Sequence, residues 1–125
     1  MSDAKRVLIA EDSSVIQNLT RKILEFQNFQ IVAAKNGEQV LQLLDKERVD
    51  VILLDINMPV MDGMECARRV RALPDPAKSG IPIVAITGNA KNYSLDDFRA
   101  VGINNSLPKP LDFDKMVELL ATLTA

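Results

Sequence analysis

The chain has 125 residues, of which 47% are hydrophobic and 26% are charged, which is the composition of one globular domain of ordinary size. Its 15 basic and 17 acidic residues give a net charge of −2, and without a basic patch we expect no nucleic-acid partner. The absence of histidine excludes histidine-based catalytic triads and metal sites, and the single Cys66 cannot form an internal disulfide. No apolar stretch is long enough to span a membrane, and the first residues lack the apolar core of a signal peptide, so we expect a cytoplasmic protein without a membrane contact.

Strand-like and helix-like patterns alternate five times along the chain. The predicted strands, which are short and mostly apolar, are residues 6–10, 29–33, 49–54, 81–86 and 103–107. The predicted helices are residues 13–26, a helix opened by Asn36-Gly37, a helix after the loop 59–63, and residues 89–101 and 112–122. Parallel strands need crossover connections, and these are right-handed. We therefore predict an α/β fold, a doubly wound five-stranded parallel sheet of the (βα)5 type with strand order 2-1-3-4-5, in which residues 1–125 form a single domain.

Three local patterns refine this prediction. Apolar residues at helical spacing predict one buried face on the first helix, formed by Val15, Ile16, Leu19, Ile23 and Leu24. Residues 73–80 are rich in Pro and Gly, which predicts the longest irregular stretch of the chain. The polar residues 104–106 suit a strand at the edge of the sheet better than a central strand.

Acidic residues follow two of the predicted strands. Asp55 ends the third strand-like run, and Glu11-Asp12 follow the first. Because the carboxyl ends of adjacent parallel strands meet at one edge of a sheet, these three carboxylates should converge in a small volume. Like charges so close repel strongly, and a divalent cation with oxygen ligands relieves that repulsion, which predicts a magnesium site. The alternative is that the carboxylates cap the helices that follow, as Asp12 or Ser13 could.

Short fragments of the chain carry a resemblance to a known family. They are Glu11-Asp12, Asp55 within DINMPVMDGME, Thr87 within IPIVAITGNA, and Lys109-Pro110 within LPKPL. Together they resemble the receiver domain of two-component response regulators, which has the CheY-like, flavodoxin-type fold. The resemblance covers essentially the whole chain, with the fragments in the family's order and at its spacings.

The resemblance implies that Asp55 accepts a phosphoryl group from a phosphohistidine donor and that the site binds Mg²⁺. Asp12 and Asp55 would bind the ion directly, Glu11 through a water molecule, and Asn57 through its backbone carbonyl. A carboxylate is a weak nucleophile, but it can attack a phosphoryl group when a metal neutralises charge on both partners. Glu11 stands where the family more often has Asp, which lengthens this side chain by one methylene and leaves the ligand type unchanged. No other cofactor is predicted.

Thr87 and Lys109 are the remaining predicted site residues. Thr87 ends the fourth strand, where its hydroxyl could donate to a phosphoryl oxygen, although a β-branched residue also suits a strand end. Lys109 leaves the fifth strand and its ammonium can reach the same oxygens, although a solvated surface lysine is the common alternative. Pro110 directly after Lys109 favours a cis peptide bond that turns the lysine side chain inward.

Other phosphate-handling classes fit the sequence less well. The chain contains no glycine-rich nucleotide-binding motif. Phosphatases of the haloacid dehalogenase type need an acid two residues after the strand-end aspartate, and here Asn57 places an amide there. We therefore predict a phosphoacceptor that assists its own phosphorylation and dephosphorylation and is not an enzyme. The alternative is an interaction module that keeps the fold and works without phosphorylation.

The predicted partners are a sensor histidine kinase or a histidine phosphotransfer protein as donor, and a downstream protein target. We expect a stand-alone receiver that is a monomer or a phosphorylation-dependent dimer. Ser106 departs from the family pattern, because this position commonly holds the Tyr or Phe that turns inward on phosphorylation. The signal should therefore pass through Thr87 into the fourth helix and reach the surface formed by that helix, the fifth strand and the last helix, near Tyr93 and Ser106.

Overall fold

The computed structural model describes residues 4–88 and 93–125, which contain five strands and six helices. One helix follows each strand except β3, which is followed by two. The strands are β1 (Arg6–Ala10), β2 (Gln30–Ala34), β3 (Val51–Asp55), β4 (Ile83–Thr87) and β5 (Asn105–Pro108). The helices are α1 (Ser14–Phe26), α2 (Gly37–Lys46), α3 (Gly63–Arg71), α4 (Pro76–Ser79), α5 (Leu95–Ala100) and α6 (Phe113–Leu123). None of the helices in this described part of the chain is both long and apolar enough to cross a membrane.

The strands form one parallel sheet in the order β2-β1-β3-β4-β5, as the sequence predicts. In the register between β1 and β3, Ala10 lies opposite Leu54. In the register between β3 and β4, Asp55 lies opposite Ile86. The carboxyl ends of β1, β3 and β4 therefore meet at the same edge of the sheet, and β5 is an edge strand, as its polar residues predicted.

Two hydrophobic cores cover the two faces of the sheet, because successive side chains of a strand point in opposite directions. Residues Leu8, Ala10, Ile52 and Leu54 face α2, α3 and α5. Residues Val7, Ile9, Val51 and Leu53 face α1 and α6. All residues of β3 and β4 are buried, which accounts for the apolar character of both strands up to their last residues, Asp55 and Thr87. Cys66 is fully buried in the first core, and burial raises the pKa of its thiol to about 12, so it packs as an unreactive residue.

The buried face of α1 differs from the predicted one. Val15, Ile16 and Leu19 are 78%, 42% and 47% exposed, whereas Gln17, Thr20 and Leu24 form the buried stripe. The prediction was wrong for Val15, Ile16 and Leu19 but is confirmed for Leu24 and for Ile23, which packs against the second core. Periodicity shows that apolar residues share a face but not that anything covers all of it. Gln17 occupies part of the buried side instead, where its side-chain amide donates to the backbone carbonyls of Glu11 and Ala34.

The stretch 73–80 is not wholly irregular, because it contains the short helix α4. Asp75 caps this helix by accepting a hydrogen bond from the Ala77 amide, and Pro76 occupies its first turn. An Asp-Pro pair is a helix-start signal as well as a turn signal, and the sequence prediction used only the second meaning.

The helix predicted to begin at residue 89 begins at Leu95 within the described residues. Ser94 and Asp97 form a capping box, in which each side chain accepts a hydrogen bond from the backbone amide of the other residue. This reciprocal cap fixes the start of the helix, so the prediction was wrong for Tyr93 and Ser94. Residues 89–92 of the predicted helix lie outside the described residues.

Arg71 joins three segments at the end of the sheet opposite the acidic residues. Its guanidinium donates to the carbonyls of Ser79, Ile81 and Gly102 at 2.6–3.0 Å and to the Asn104 side chain at 2.9 Å. Gly102 has a φ of 84°, and a Cβ there would lie 2.5 Å from Arg71 Cγ. The arginine therefore supplies donors to the starts of β4 and β5, and glycine is the residue that leaves room for it.

We expect Arg71→Met to lower the free energy of unfolding by about 2–3 kcal/mol, because several carbonyls lose their donor at once. Urea denaturation monitored by circular dichroism measures this loss. Arg69→Met is the matched control on the same helix, since Arg69 is exposed and forms a surface ion pair with Glu65, and it should cost at most about 1 kcal/mol. Equal losses in the two variants would contradict the role given to Arg71.

Candidate functional site

The three predicted carboxylates meet at the carboxyl ends of β1 and β3. Asp55 is the last residue of β3, and Glu11 and Asp12 directly follow β1. One carboxylate oxygen from each of these residues lies within 4.8 Å of the others. The predicted convergence is therefore confirmed, and it follows from the pairing of β1 with β3 in the sheet.

The three carboxylates differ in burial, so the cluster has a buried floor and a mouth that is open to solvent. Asp55 and Glu11 are 3% and 6% exposed, whereas Asp12 is exposed. The N-cap of α1 is Ser13 and not Asp12, because the Ser13 hydroxyl accepts a hydrogen bond from the backbone amide of Ile16. The alternative role of Asp12 as a helix cap is thus filled by another residue.

Lys109 brings a positive charge to the cluster. Its Nζ lies 3.3 Å from Asp55 Oδ2, and its backbone amide donates to the Thr87 carbonyl at 2.9 Å. The Lys109-Pro110 peptide bond is cis, as predicted. Thr87, the last residue of β4, is 7% exposed beside this contact. Lys109 is therefore turned toward the acidic cluster and is not a solvated surface lysine.

Both oxygens of the Asp55 carboxylate have a donor in the structure. Oδ2 faces Lys109, and Oδ1 accepts a hydrogen bond from the backbone amide of Asn57 at 3.0 Å. This second bond closes a turn directly after β3 and holds residue 57 against the carboxylate. The carboxylate of Asp55 is thereby fixed in orientation at the floor of the site.

The carboxylate set fits a hard divalent cation. Glu11 Oε2 is a buried oxygen that finds no hydrogen-bond partner among the described residues, and such an oxygen needs a ligand or a proton. Burial, followed by the nearby Asp55 carboxylate, raises the pKa of Glu11 to about 8. In the absence of a cation the cluster therefore retains a proton at neutral pH, and a cation can take the place of that proton.

Gly63 allows α3 to begin directly beneath the site. A Cβ at this position would lie 2.7 Å from the Asp55 carbonyl oxygen and from Ile56 Cα, and the Gly63 amide donates to the Ile56 carbonyl at 2.9 Å. Asp62 caps α3 through the Glu65 amide. Met61-Asp62-Gly63 therefore end the loop after Asp55 with a helix cap at Asp62 and a close backbone approach at Gly63. The sequence prediction treats these residues only as part of a loop.

Val60 is a strained residue in that loop. Its φ is 70°, it is 76% exposed, and the Met61 amide donates to the Pro59 carbonyl at 2.7 Å across it. This is a γ-turn with positive φ, which is rare for a β-branched residue and stores about 1–3 kcal/mol of strain. The buried Met58 and the core-packed Met61 hold the turn from both sides. No sequence signal marks this conformation, because valine disfavours it.

A groove of about 490 Å³ opens beside Asp55, between α1 and the segment that follows Lys109. Its polar lining residues near the site are Glu11, Asp55 and Lys109. The rest of the lining is largely apolar and includes Ile9, Ile16, Leu19, Leu53, Ile86, Pro110, Leu111 and Phe113. The exposed apolar residues of α1 therefore continue directly into the acidic site.

Tyr93 and Ser106, the residues expected near the output surface, lie on the other side of the site from α1. Tyr93 is half-buried against the core, and its ring centroid lies 5.9 Å from that of Phe98. Ser106 is half-buried on the edge strand β5. Tyr93 therefore packs against Phe98 of α5.

The chain belongs to the response regulator receiver domain family, whose sequence pattern matches residues 7–121. It is therefore a CheY-like phosphoacceptor domain of two-component signalling, and its acidic cluster is compatible with Mg²⁺. It is 32% identical over 117 residues to the CAI-1 autoinducer sensor kinase/phosphatase CqsS of Vibrio cholerae, covering 94% of this chain and 17% of that protein. It is 37% identical over 126 residues to protein-glutamate methylesterase/protein-glutamine glutaminase 3 of Hahella chejuensis, covering 91% of this chain and 34% of that protein. The chain thus spans only a part of these relatives.

Two solved structures agree with this assignment. The receiver domain of sensor histidine kinase PA1611 from Pseudomonas aeruginosa has a TM-score of 0.87 and 26% identity, with 97% of this chain and 98% of that chain covered. That structure has a magnesium ion coordinated in the active site cleft. Chemotaxis response regulator CheY4 of Vibrio cholerae has a TM-score of 0.85 and 28% identity, with 96% of this chain and 98% of that chain covered.

The raised pKa of Glu11 predicts how metal-free stability depends on pH. Its value in the folded protein, about 8, lies above the ordinary value of 4.5, so protonated Glu11 favours the folded state. This contribution is complete below the ordinary value and is lost as the pH rises through the folded-state value. We therefore expect wild type in EDTA to lose more stability than Glu11→Gln between about pH 5.5 and about pH 8.5.

Urea denaturation of both proteins across this range measures the difference. Glu11→Gln keeps the size of the side chain and removes its titration, so it isolates the contribution of Glu11. Parallel stability profiles for the two proteins would show that Glu11 titrates as an ordinary exposed carboxyl, against the burial described above.

Proposed function

We propose that Asp55 is the phosphoacceptor, that it receives its phosphoryl group from a phosphohistidine, and that residues 1–125 act as one receiver domain. The observation that carries this proposal is the buried, oriented Asp55 carboxylate beside Glu11, Asp12 and Lys109. An attacking carboxylate must be held in line with the phosphorus, and the Asn57 amide and the Lys109 ammonium support that orientation.

In this proposal Mg²⁺ is held directly by Asp12 and Asp55, through a water molecule by Glu11, and by the backbone carbonyl of Asn57. When bound, the ion supplies positive charge that lowers the repulsion between the carboxylates and an incoming phosphoryl group. The unpartnered Glu11 Oε2 and the close approach of the three carboxylates support this assignment.

Lys109 and Thr87 act on the phosphoryl oxygens in this proposal. Lys109 now faces Asp55 Oδ2, and its ammonium can transfer this contact to a phosphoryl oxygen once Asp55 is modified. Thr87 lies at the end of the neighbouring strand, where its hydroxyl can donate to the same group. Because the group is received and lost on the protein's own side chain, we propose a self-modifying phosphoacceptor and not an enzyme with an external substrate.

We expect acetyl phosphate with Mg²⁺ to add one phosphoryl group to the wild-type protein and none to Asp55→Asn, because the nucleophile is lost. Intact-protein mass spectrometry measures the adduct. Asp62→Asn is the matched control, since Asp62 belongs to the same loop but caps α3, and asparagine preserves the cap. Asp12→Ala should reduce the adduct through weakened Mg²⁺ binding.

An adduct on Asp55→Asn would overturn the assignment of the acceptor. A wild-type protein that gains no phosphoryl group would instead favour an interaction module that works without phosphorylation.

We propose that the donor, a sensor histidine kinase or a histidine phosphotransfer protein, docks on the α1 face, defined here as Val15, Ile16 and Leu19. These side chains are exposed and apolar, and two of them line the groove that opens on Asp55. A donor histidine must reach the open mouth of the site at Asp12, so a contact on α1 would place it there. This surface is present before phosphorylation, which a donor requires.

We propose that output leaves by the surface of α5, β5 and α6, and that a downstream protein binds there. Ser106 on β5 stands where the family commonly has the aromatic switch residue, so an aromatic side chain at this position cannot carry the signal. Thr87, in contrast, lies in the site and precedes the segment that leads to α5. Leu95, at the start of α5, is exposed and apolar and can contact a partner. In this proposal the protein is cytoplasmic, and it is a monomer or a phosphorylation-dependent dimer that binds neither nucleic acid nor membrane.

We expect beryllofluoride with Mg²⁺, a mimic of the phosphoryl group on Asp55, to shift the backbone amide resonances of residues 87–97 most. The α1 face should shift little, because it serves the donor before modification. A coupling of about 1–3 kcal/mol is enough to change partner affinity roughly 5–150-fold. Two-dimensional NMR spectra with and without beryllofluoride measure the shifts; shifts confined to the metal pocket and α1 would show that output leaves by another face.

A further inference from the structure

Gln17 is a buried polar residue on the side of α1 that faces the sheet. It is 7% exposed, and its side-chain Nε2 donates to the Glu11 carbonyl at 3.1 Å and to the Ala34 carbonyl at 3.0 Å. An amide nitrogen carries two hydrogens, so one Nε2 can serve both carbonyls without bringing a charge. This contact joins α1, the end of β2 and the residue that begins the acidic cluster.

The same contacts fix both backbone polar groups of Glu11. Its amide donates to the Ala34 carbonyl at 3.0 Å, and its carbonyl accepts from Gln17. The carbonyl of Glu11 belongs to the peptide that joins Glu11 to Asp12. Hydrogen bonds thus hold the peptide planes on both sides of Glu11, which sets the direction in which its side chain leaves the backbone and the position from which Asp12 continues.

We infer that Gln17 is a positioning residue of the Mg²⁺ site: it sets the Glu11-Asp12 peptide so that the two carboxylates converge on Asp55. This inference rests on the proposed function of the cluster as a cation site. Both hydrogen bonds found for the Gln17 side chain within the described residues go to backbone carbonyls, so its effect on the carboxylates passes through the backbone that carries them. A charged donor in its place would change the charge balance of the cluster, whereas the neutral amide holds the loop and leaves that balance unaltered.

Gln17→Met tests this role, because methionine keeps the length of the side chain and removes both donors. We expect its affinity for Mg²⁺ to fall about 10-fold, at the lower end of the effect of removing an outer hydrogen bond at a metal site. Titration with MgCl₂ alone, followed by calorimetry or amide NMR shifts, measures the affinity without any phosphodonor. Spectra of the metal-free protein should also show shifted amide resonances at Glu11 and Asp12.

Thr20→Val is the matched control. Thr20 is 2% exposed on the same helix, and its hydroxyl donates to the Ile16 carbonyl at 2.8 Å within α1. This variant also loses a buried donor, but it leaves the Glu11-Asp12 peptide untouched, so its affinity for Mg²⁺ should stay within about twofold of wild type. A loss of equal size in Thr20→Val would assign the effect to general loosening of α1 and overturn the inference.

Gln17→Asn gives a second, milder variant in case Gln17→Met does not fold. Asparagine keeps the amide but is one methylene shorter, so it cannot reach both carbonyls, and we expect weakened Mg²⁺ binding here too. Wild-type affinity in a folded Gln17→Met or Gln17→Asn protein would overturn the positioning role alone. Absence of Mg²⁺ binding by the wild type would overturn the cation site itself and the inference with it.

Discussion

Repulsion among three carboxylates is the constraint on which the rest of the site depends. The sheet order places β1 beside β3, so Glu11, Asp12 and Asp55 leave adjacent strand ends with their oxygens within 4.8 Å. Lys109 would offset only one of the three negative charges that the fully ionised cluster carries. Burial makes the remainder costly, since charge is poorly screened away from water. Burial and the neighbouring Asp55 carboxylate raise the pKa of Glu11 as a result, and a divalent cation is a ligand whose charge this arrangement suits.

The framework around this cluster keeps it from relaxing. Gly63 lets α3 start against the end of β3, and the Asn57 amide holds the Asp55 carboxylate. At the far end of the sheet, Arg71 binds the starts of β4 and β5 together. A repulsive cluster can persist only where the surrounding structure fixes it in this way. The loop with the strained Val60 lies at the same edge of the sheet, so the strained backbone and the repelling carboxylates are close to each other in the fold.

Sequence reasoning predicted the sheet order, the burial of β3 and β4, and the convergence of the acids, because these follow from strand periodicity and parallel topology. It also predicted the inward turn of Lys109 from Pro110. It could not predict the burial of Gln17 on α1, because the carbonyls of Ala34 and Glu11 that receive its side-chain amide come from other parts of the chain. The start of α5 was missed although Ser94 and Asp97 carry a local capping signal. The positive φ of Val60 opposes the preference of valine, so only the packing of the loop determines it.

The central claim is that a cation relieves the repulsion between these carboxylates. The most direct test is the free energy of unfolding measured by urea denaturation at neutral pH, first in EDTA and then in Mg²⁺. At a Mg²⁺ concentration of 100 times Kd we expect wild type to gain about 2.7 kcal/mol, since the ion binds the folded cluster and not the separated side chains. Asp55→Asn and Asp12→Asn should lose most of this gain. The same free energy of unfolding for wild type in EDTA and in Mg²⁺ would contradict the claim.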